Sequence, residues 1–238
     1  MIEWRDEGIC LGARPHGESA AIVEVFTLLH GRHAGVVRGG AGRKMAAALQ
    51  PGTQLDVVWR ARLEDHIGAF TAEAVQGRAG IAMAHPGTLL GLGATVALLR
   101  ATLPERAAHP GLYRATVALF DLFGYPEVWP TAHLRWEVLL LETLGFALDL
   151  SACAVTGATE GLAFVSPRTG RAVTQAAAGD WADRLLPLPP CLTGAVPQDQ
   201  AEIAAALDVT GHFLRVVMAE TGSLLPEARA RYVAWLAG

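Results

Sequence analysis

A glycine-rich turn at residues 38–44 carries the side chains best suited to bind an anion. Its sequence, Arg38-Gly39-Gly40-Ala41-Gly42-Arg43-Lys44, sets three cations around three glycines. Glycine permits tight turns and lets backbone N–H groups approach phosphate oxygens closely, and each neutralised phosphate makes the affinity fall with salt. The segment lacks the Lys-Ser/Thr ending and the flanking strand–helix unit of a P-loop, so we reject nucleotide hydrolysis there. Composition alone fits an ordinary solvated hairpin equally well.

The surroundings of this turn are basic, although the whole chain has a formal net charge of −4. Between Arg32 and Arg62 six basic residues accompany a single acid, Asp56. Charge distribution is the better guide to a nucleic-acid surface, because net charge averages over domains.

Enzyme signatures are missing from the sequence. No two histidines have the i, i+4 spacing of a metalloprotease, and Ser19 and Ser151 lack a nucleophile elbow.

Five strands in the first 78 residues must position the turn. Alternating polar and apolar residues between Gly- and Pro-rich breaks predict these strands at Glu7–Ala13, Ala20–Leu28, Arg32–Arg38, Thr53–Arg62 and Ile67–Gln76. A short Ala-rich helix is predicted at Met45–Leu49, and a helix between the third and fourth strands is the usual plan of an OB barrel. Such barrels bind single strands on one face and in the loops after strands one and four, here Arg14–Ser19 and Leu63–Gly68.

Four aromatic residues of this region, Trp4, Phe26, Trp59 and Phe70, could stack nucleobases. Three of them lie within apolar strand patterns, where packing in the core is the commoner fate. The sequence therefore predicts that most of them belong to the core.

Long Ala- and Leu-rich segments follow Gly80. They predict helices at Thr88–Leu103, Leu112–Phe123, His133–Gly145, Gln200–Glu220 and Pro226–Leu236. Between Cys153 and Ala177 the helical pattern lapses, and Leu162–Ser166 and Arg171–Thr174 flank a turn like a hairpin. The predicted fold class is α+β: a five-stranded OB-fold β-barrel over residues 1–79, then a mainly α-helical domain over residues 80–238 with a small β-hairpin insertion at about 153–177.

Composition indicates the cellular setting. No stretch approaches the roughly 20 uncharged apolar residues of a membrane span, and the first residues lack the basic start and apolar run of a signal peptide. Cys10, Cys153 and Cys191 are too few for a disulfide framework and form no C-x-x-C pair. We expect a soluble, reduced protein of the bacterial cytoplasm.

Seven short motifs lie in both predicted domains, and their order and spacing along the chain carry information about the protein family. They are Gly8–Ser19, Phe26-Thr27, His30-Gly31, Val37-Arg38-Gly39-Gly40, Leu49-Gln50-Pro51-Gly52, Leu134-Arg135-Trp136-Glu137 and Leu144–Cys153. In order and spacing they resemble the bacterial DNA repair family RecO. The resemblance implies an OB fold, a helical domain and a nucleoid-associated mediator that needs neither catalysis nor a cofactor. Such a mediator anneals complementary strands and, with RecR, helps load RecA onto DNA coated by single-stranded-DNA-binding protein (SSB).

The resemblance also implies binding sites. Phosphates of single- or double-stranded DNA would contact Arg14, Arg38, Arg43 and Lys44, and the track would extend to Arg32, Arg60 and Arg62. Arg135 would receive the acidic C-terminal tail of SSB, or would form a helix-surface ion pair with Glu142 or another acid. Some RecO proteins hold zinc with paired cysteines after this helix, but Cys153 has no second cysteine nearby. Because structural zinc needs four ligands, we predict that the metal is lost and that packing of Leu162, Phe164 and Val173 holds the hairpin.

Two other functions stay open from the residues alone. The barrel does not reveal which nucleic acid is bound, so an OB-fold RNA-binding protein is the second hypothesis. A small enzyme, the third, would need residues such as Glu18, His30 and Asp65 to converge on one site.

Overall fold

The five strands predicted near the N-terminus all form in the computed structural model, which describes residues 1–220 and 222–238. They are β1 (Ile2–His16), β2 (Ala20–Thr27), β3 (Gly31–Val37), β4 (Gln54–Ala61) and β5 (Ala69–Gln76). The strands close into a barrel in the order β1-β2-β3-β5-β4, because β4 also pairs with β1. All pairs are antiparallel except β3 with β5, where Val36 lies opposite Ala69.

Alternation along the strands fills the barrel with apolar side chains. Val23 of β2 and Val57 of β4 are fully buried, while the residues beside them face outward and are partly exposed. β1 begins five residues before the predicted strand, because residues 2–6 pair with the end of β4 and Glu3 lies opposite Arg60. The outward charges of this extension are matched by charges on the neighbouring strand.

Helices α1 (Arg43–Ala48), α2 (Ala79–Met83), α3 (Pro86–Thr102) and α4 (Pro110–Phe120) belong with the barrel to one compact unit, Met1–Pro126. Leu49, directly after α1, is buried in the barrel core, and the Cys10 thiol donates to its carbonyl oxygen at 3.2 Å. The Arg78 guanidinium, 1 % exposed, donates to Asp121 at the end of α4 at 2.6 Å. The domain boundary expected between residues 79 and 80 stays a prediction.

The second compact unit, Glu127–Gly238, is mainly helical. Its elements are α5 (Trp129–Thr143), β6 (Leu162–Val165), β7 (Ala172–Thr174), α6 (Gln175–Ala178), β8 (Leu186–Pro187), α7 (Gln200–Ala219) and α8 (Glu227–Ala237). β6 and β7 form the predicted hairpin, and β8 adds a third strand beside β6. The α+β fold class is thus confirmed. Among the helices of the described residues, none has the length and hydrophobicity needed to cross a membrane.

A buried ion pair joins α5, α7 and α8. Glu137 is fully buried, and Arg229 donates to its two carboxylate oxygens at 3.0 and 2.6 Å. Thr210 also donates to Glu137, and Arg229 donates to the Leu207 carbonyl. Gly211 leaves room for the guanidinium, because a Cβ there would lie 2.7 Å from it. Since buried charges are tolerated only when they are paired and hydrogen-bonded, the Glu137 carboxylate depends on these contacts from α7 and α8.

Candidate nucleic-acid interface

The basic turn connects β3 to α1 and is anchored at its base. The Ala41 N–H donates to the Ser19 carbonyl at 3.1 Å, which ties the turn to the β1–β2 loop. Gly40 packs so closely on β2 that a Cβ there would lie 2.8 Å from the Ala21 Cβ. Three cations of the turn are exposed and make no ion pair within the described part of the chain: Arg38, Arg43 and Lys44. The turn therefore presents three uncompensated positive charges on an anchored backbone.

Arg38 also lines a groove of about 440 Å³ beside the turn. The groove, which we call the Arg38–Arg60 groove, is lined by Val37, Arg38, Met45, Arg60 and residues 69–72. Met45 and the buried Phe70 give it apolar walls, and none of its lining residues is acidic. A phosphate would have to compete with Glu3 for Arg60, because the Arg60 guanidinium donates to the Glu3 carboxylate at 2.7 and 2.9 Å. Cations beside apolar surface suit a phosphate backbone that carries planar bases.

Arg14 and Arg62 are likewise exposed and unpaired among the described residues. Arg14 lies near the end of β1 and lines a second cleft, of about 480 Å³, together with Gly40 and Ala41 of the turn. Arg62 follows β4 directly. Five of the seven predicted DNA-binding cations are therefore available for an anion without breaking a contact within the protein.

Arg32 is engaged by the protein itself. Its largely buried guanidinium donates to Glu24 and, at 3.0 Å, to the Leu103 carbonyl, and it lies 3.6 Å from Glu105. Arg100 of α3 donates to the other carboxylate oxygen of Glu24 at 2.7 Å. As a DNA contact Arg32 stays a prediction, and a phosphate would have to compete with three protein partners.

Two arginines beside the barrel were missed by sequence reasoning, Arg100 and Arg106. They line a cleft of about 500 Å³ together with a third cation, Arg14, and three acids, Glu24, Asp65 and Glu105. Arg106 has a left-handed φ of 64° and donates to the backbone carbonyls of Glu64 and, at 3.1 Å, His66. Because its positive and negative charges balance, this cleft attracts phosphate less than the Arg38–Arg60 groove. No local motif signals these contacts, since their partners lie 40 or more residues away.

Two family models cover most of the chain. The model described as Recombination protein O N terminal matches residues 1–78, and the model described as Recombination protein O C terminal matches residues 85–221. The chain belongs to the RecO family.

Full-length relatives agree with this membership. The DNA repair protein RecO of Roseobacter denitrificans is 60 % identical over 234 residues, which cover 98 % of this chain and 97 % of the relative. RecO of Cereibacter sphaeroides is 58 % identical over 237 residues, with 100 % and 99 % coverage. RecO of a Ruegeria species is 55 % identical over 238 residues, with 99 % coverage of each chain. The resemblance read from the motifs is confirmed, and with it a family that acts in DNA repair and recombination.

The aromatic residues of this RecO barrel lie as the sequence predicted. Phe26, Trp59 and Phe70 are at most 4 % exposed; Trp59 and Phe70 belong to the barrel core, and Phe26 packs against Tyr113 of α4. Trp4 is only partly buried and packs against the barrel core. Most of the aromatic side chains therefore stabilise the barrel, and Trp4 alone of the four keeps accessible surface.

The residues considered for an enzyme do not meet in one site of this RecO chain. His30 contacts Asp6, with 3.0 Å between Nδ1 and Oδ2. Asp65 lines the cleft of about 500 Å³, and Glu18 lies exposed in the loop between β1 and β2. The arrangement gives no support to acid–base catalysis by these three groups.

Arg135, the predicted contact of the SSB tail, is exposed on α5. Its neighbours in the sequence, Leu134 and Trp136, are buried, so Arg135 lies on the side of α5 that faces solvent. It forms no ion pair among residues 1–220 and 222–238, so the alternative pairing with Glu142 does not occur. Its binding of an acidic tail stays a prediction.

Cys153 lies beside the hairpin, where the sequence predicts that a zinc site has been lost. Its thiol is 2 % exposed and accepts a hydrogen bond from the Thr174 N–H at 3.4 Å. Hydrogen bonds from Thr156 and from this backbone group lower the pKa of the Cys153 thiol to about 6. Leu162, Phe164 and Val173 pack around it, as predicted. Within the described residues no three His, Cys, Asp or Glu side chains gather closely enough to hold a metal ion.

Proposed function

We propose that this RecO chain is a non-enzymatic mediator that binds single- and double-stranded DNA through the basic turn and the Arg38–Arg60 groove. The groove is the observation that carries the proposal, because two arginines and no acid line it. Arg43 and Lys44 add two exposed charges beside it. Cations that replace the counterions of DNA supply affinity that does not depend on sequence. The barrel, residues 1–79, is accordingly the proposed DNA-binding domain.

The proposed mechanism is electrostatic and non-covalent. Complementary strands repel one another through their phosphates, and a surface that neutralises both strands lets them pair. Arg14 and Arg62 would extend this surface, whereas Arg32 would first have to leave Glu24 and the Leu103 carbonyl. Phosphate contacts position a strand but carry no sequence information. We therefore expect the protein to anneal complementary strands of any sequence.

Protein partners are proposed to bind the helical unit. The exposed, unpaired Arg135 would take the acidic C-terminal tail of SSB, and RecR would be the direct partner in loading RecA onto SSB-coated DNA. A chain that binds both SSB and DNA raises the effective concentration of each for the other without any new contact. The proposed location is the cytoplasm, at the nucleoid.

An annealing assay with fluorescent complementary strands tests the proposal. The variant Arg38→Ala/Arg43→Ala/Lys44→Ala should bind single strands about tenfold or more weakly and anneal correspondingly slowly. A matched control is Arg114→Ala/Arg168→Ala/Arg215→Ala, which removes three exposed cations that make no ion pair in the described residues. Its annealing should equal that of the unmodified protein, with EDTA present and without nucleotide.

Two results would contradict the proposal. One is a folded turn variant that binds and anneals normally, and the other is an equal loss in both triple variants. Competition between matched DNA and RNA strands decides the nucleic acid, because preferential RNA binding would favour the RNA-binding alternative.

A further inference from the structure

A small cavity of about 170 Å³ opens at the end of the barrel where β1 begins. Aromatic rings and two charged side chains line it, among them Trp4, His30, His33, Trp59, Glu64 and Arg106. Pockets for drug-sized ligands usually measure roughly 300–1,000 Å³. The space therefore suits one planar ring and excludes a whole nucleotide.

The rings around this cavity are already stacked. The Trp4 ring lies parallel to the His30 ring, with 4.0 Å between centroids, and nearly parallel to the Trp59 ring at 5.5 Å. The His33 ring meets both tryptophans edge-on, at 5.0 Å and 4.8 Å. Offset-stacked and edge-to-face geometries are the ones that aromatic rings prefer, so a further planar ring can join this cluster favourably.

His33 is the polar group without an adequate partner in this cluster. It is 5 % exposed, and neither ring nitrogen makes a hydrogen bond of good geometry. Burial, together with the nearby Arg106, lowers the pKa of His33 to about 4, so the imidazole is neutral near pH 7. A neutral imidazole offers one donor and one acceptor. A buried polar group left unpaired is costly, so a ring with its own donors and acceptors is the favoured occupant.

We propose that this cavity binds one unstacked nucleobase of a DNA strand held on the barrel. The base edge would pair with His33, its ring would join the aromatic cluster, and Arg106 and Glu64 would contact its polar substituents. His33 lies on β3 and Arg38 directly follows this strand, five residues further on. Five residues of extended chain span about 17 Å, so one bound DNA strand can reach both. The inference rests on the proposed DNA binding and adds a contact with a base to the contacts with phosphates.

Oligonucleotides with and without bases test the inference. Oligothymidylate and an abasic strand of equal length carry the same phosphate charge. The unmodified protein should bind oligothymidylate about tenfold more tightly, because base–aromatic stacking contributes that order of affinity. In His33→Phe, which keeps a ring but removes both nitrogens, the two affinities should approach each other. His33→Gln, which keeps a donor and an acceptor, should retain part of the difference.

The control separates the two proposals. The turn variant Arg38→Ala/Arg43→Ala/Lys44→Ala should lose affinity for both strands while their ratio is kept. Equal binding of the two strands by the unmodified protein would overturn the base site and leave the phosphate contacts standing, and so would an unchanged ratio in a folded His33→Phe. Failure to bind either strand would overturn the proposed function itself. Binding of free thymidine as tightly as oligothymidylate would identify a nucleoside site and overturn the assignment to a strand.

Discussion

Replacing Glu3 with glutamine should strengthen DNA binding. Glu3 lies opposite Arg60 in the β1–β4 pair and accepts two hydrogen bonds from its guanidinium, at 2.7 and 2.9 Å. The same guanidinium lowers the pKa of the Glu3 carboxyl, so Glu3 is ionised when DNA binds. A phosphate that enters the Arg38–Arg60 groove must therefore compete with a carboxylate for Arg60. Glutamine keeps the size of the side chain and removes that competition.

The expected gain is modest because the pair is exposed to solvent. The side chains of Arg60 and Glu3 are 50 % and 51 % exposed, and exposed ion pairs are weak and screened by salt. We expect single-stranded DNA to bind about threefold more tightly. One more cation then contacts phosphate, so the slope of log Kd against log salt concentration should increase by about 0.7.

Fluorescence anisotropy of a labelled single strand over a series of salt concentrations measures both quantities. The matched control is Glu227→Gln, which also removes one carboxylate from an exposed ion pair, with Arg231 on α8 at 3.7 Å. Both variants change the net charge equally, but only Glu3→Gln changes the groove. Equal effects of the two substitutions, or no gain in Glu3→Gln, would refute the reasoning.

Three further predictions concern the second unit. Arg229→Met should lower the free energy of unfolding by about 3–5 kcal/mol in urea denaturation, because Glu137 is left charged and buried without its partner. The double variant Glu137→Leu/Arg229→Met should lose far less stability. Equal losses in the two variants would contradict this prediction. Burial lowers the pKa of His133 from 6.5 to about 4, so the unfolded chain binds more protons between these values. His133 should therefore contribute about 3 kcal/mol to the fall in the free energy of unfolding as the pH drops from 6.5 to 4. The variant His133→Phe should lack this contribution, and an unchanged pH dependence in that variant would count against it. Elemental analysis of the purified protein should find no stoichiometric zinc, because the Cys153 thiol contacts the hydroxyl and the backbone N–H of Thr174 and not a second thiolate. One zinc per chain would disprove the predicted loss of the site.

The barrel was predictable because one face of each strand is buried. Alternation alone locates β2 and β4 to within one residue. The start of β1 was not predictable in this way, because Glu3 and Arg5 read as a charged terminal segment. Their partners, Arg60 and Asp56, lie more than 50 residues away and form ion pairs only once β1 and β4 are side by side. Strand pairing, rather than local pattern, therefore extends β1.

The candidate site was predictable in its location but not in its detail. The basic turn is visible in the sequence as cations between glycines, and the structure leaves those cations exposed. Arg32 carries the same charge in the same stretch, yet Glu24 and the Leu103 carbonyl engage it. The Arg229–Glu137 pair, 92 residues apart, left no local signal at all. Which cations are compensated is decided by tertiary contacts that no spacing rule describes.

The salt dependence of single-strand binding tests the central claim, that the basic turn contacts DNA phosphates. Each lost contact with a single strand should reduce the slope of log Kd against log salt concentration by about 0.7. For Arg38→Ala/Arg43→Ala/Lys44→Ala the slope should therefore be smaller by about 2 than in the unmodified protein, with the fold confirmed by circular dichroism. An unchanged slope in a folded variant would show that the phosphates bind elsewhere.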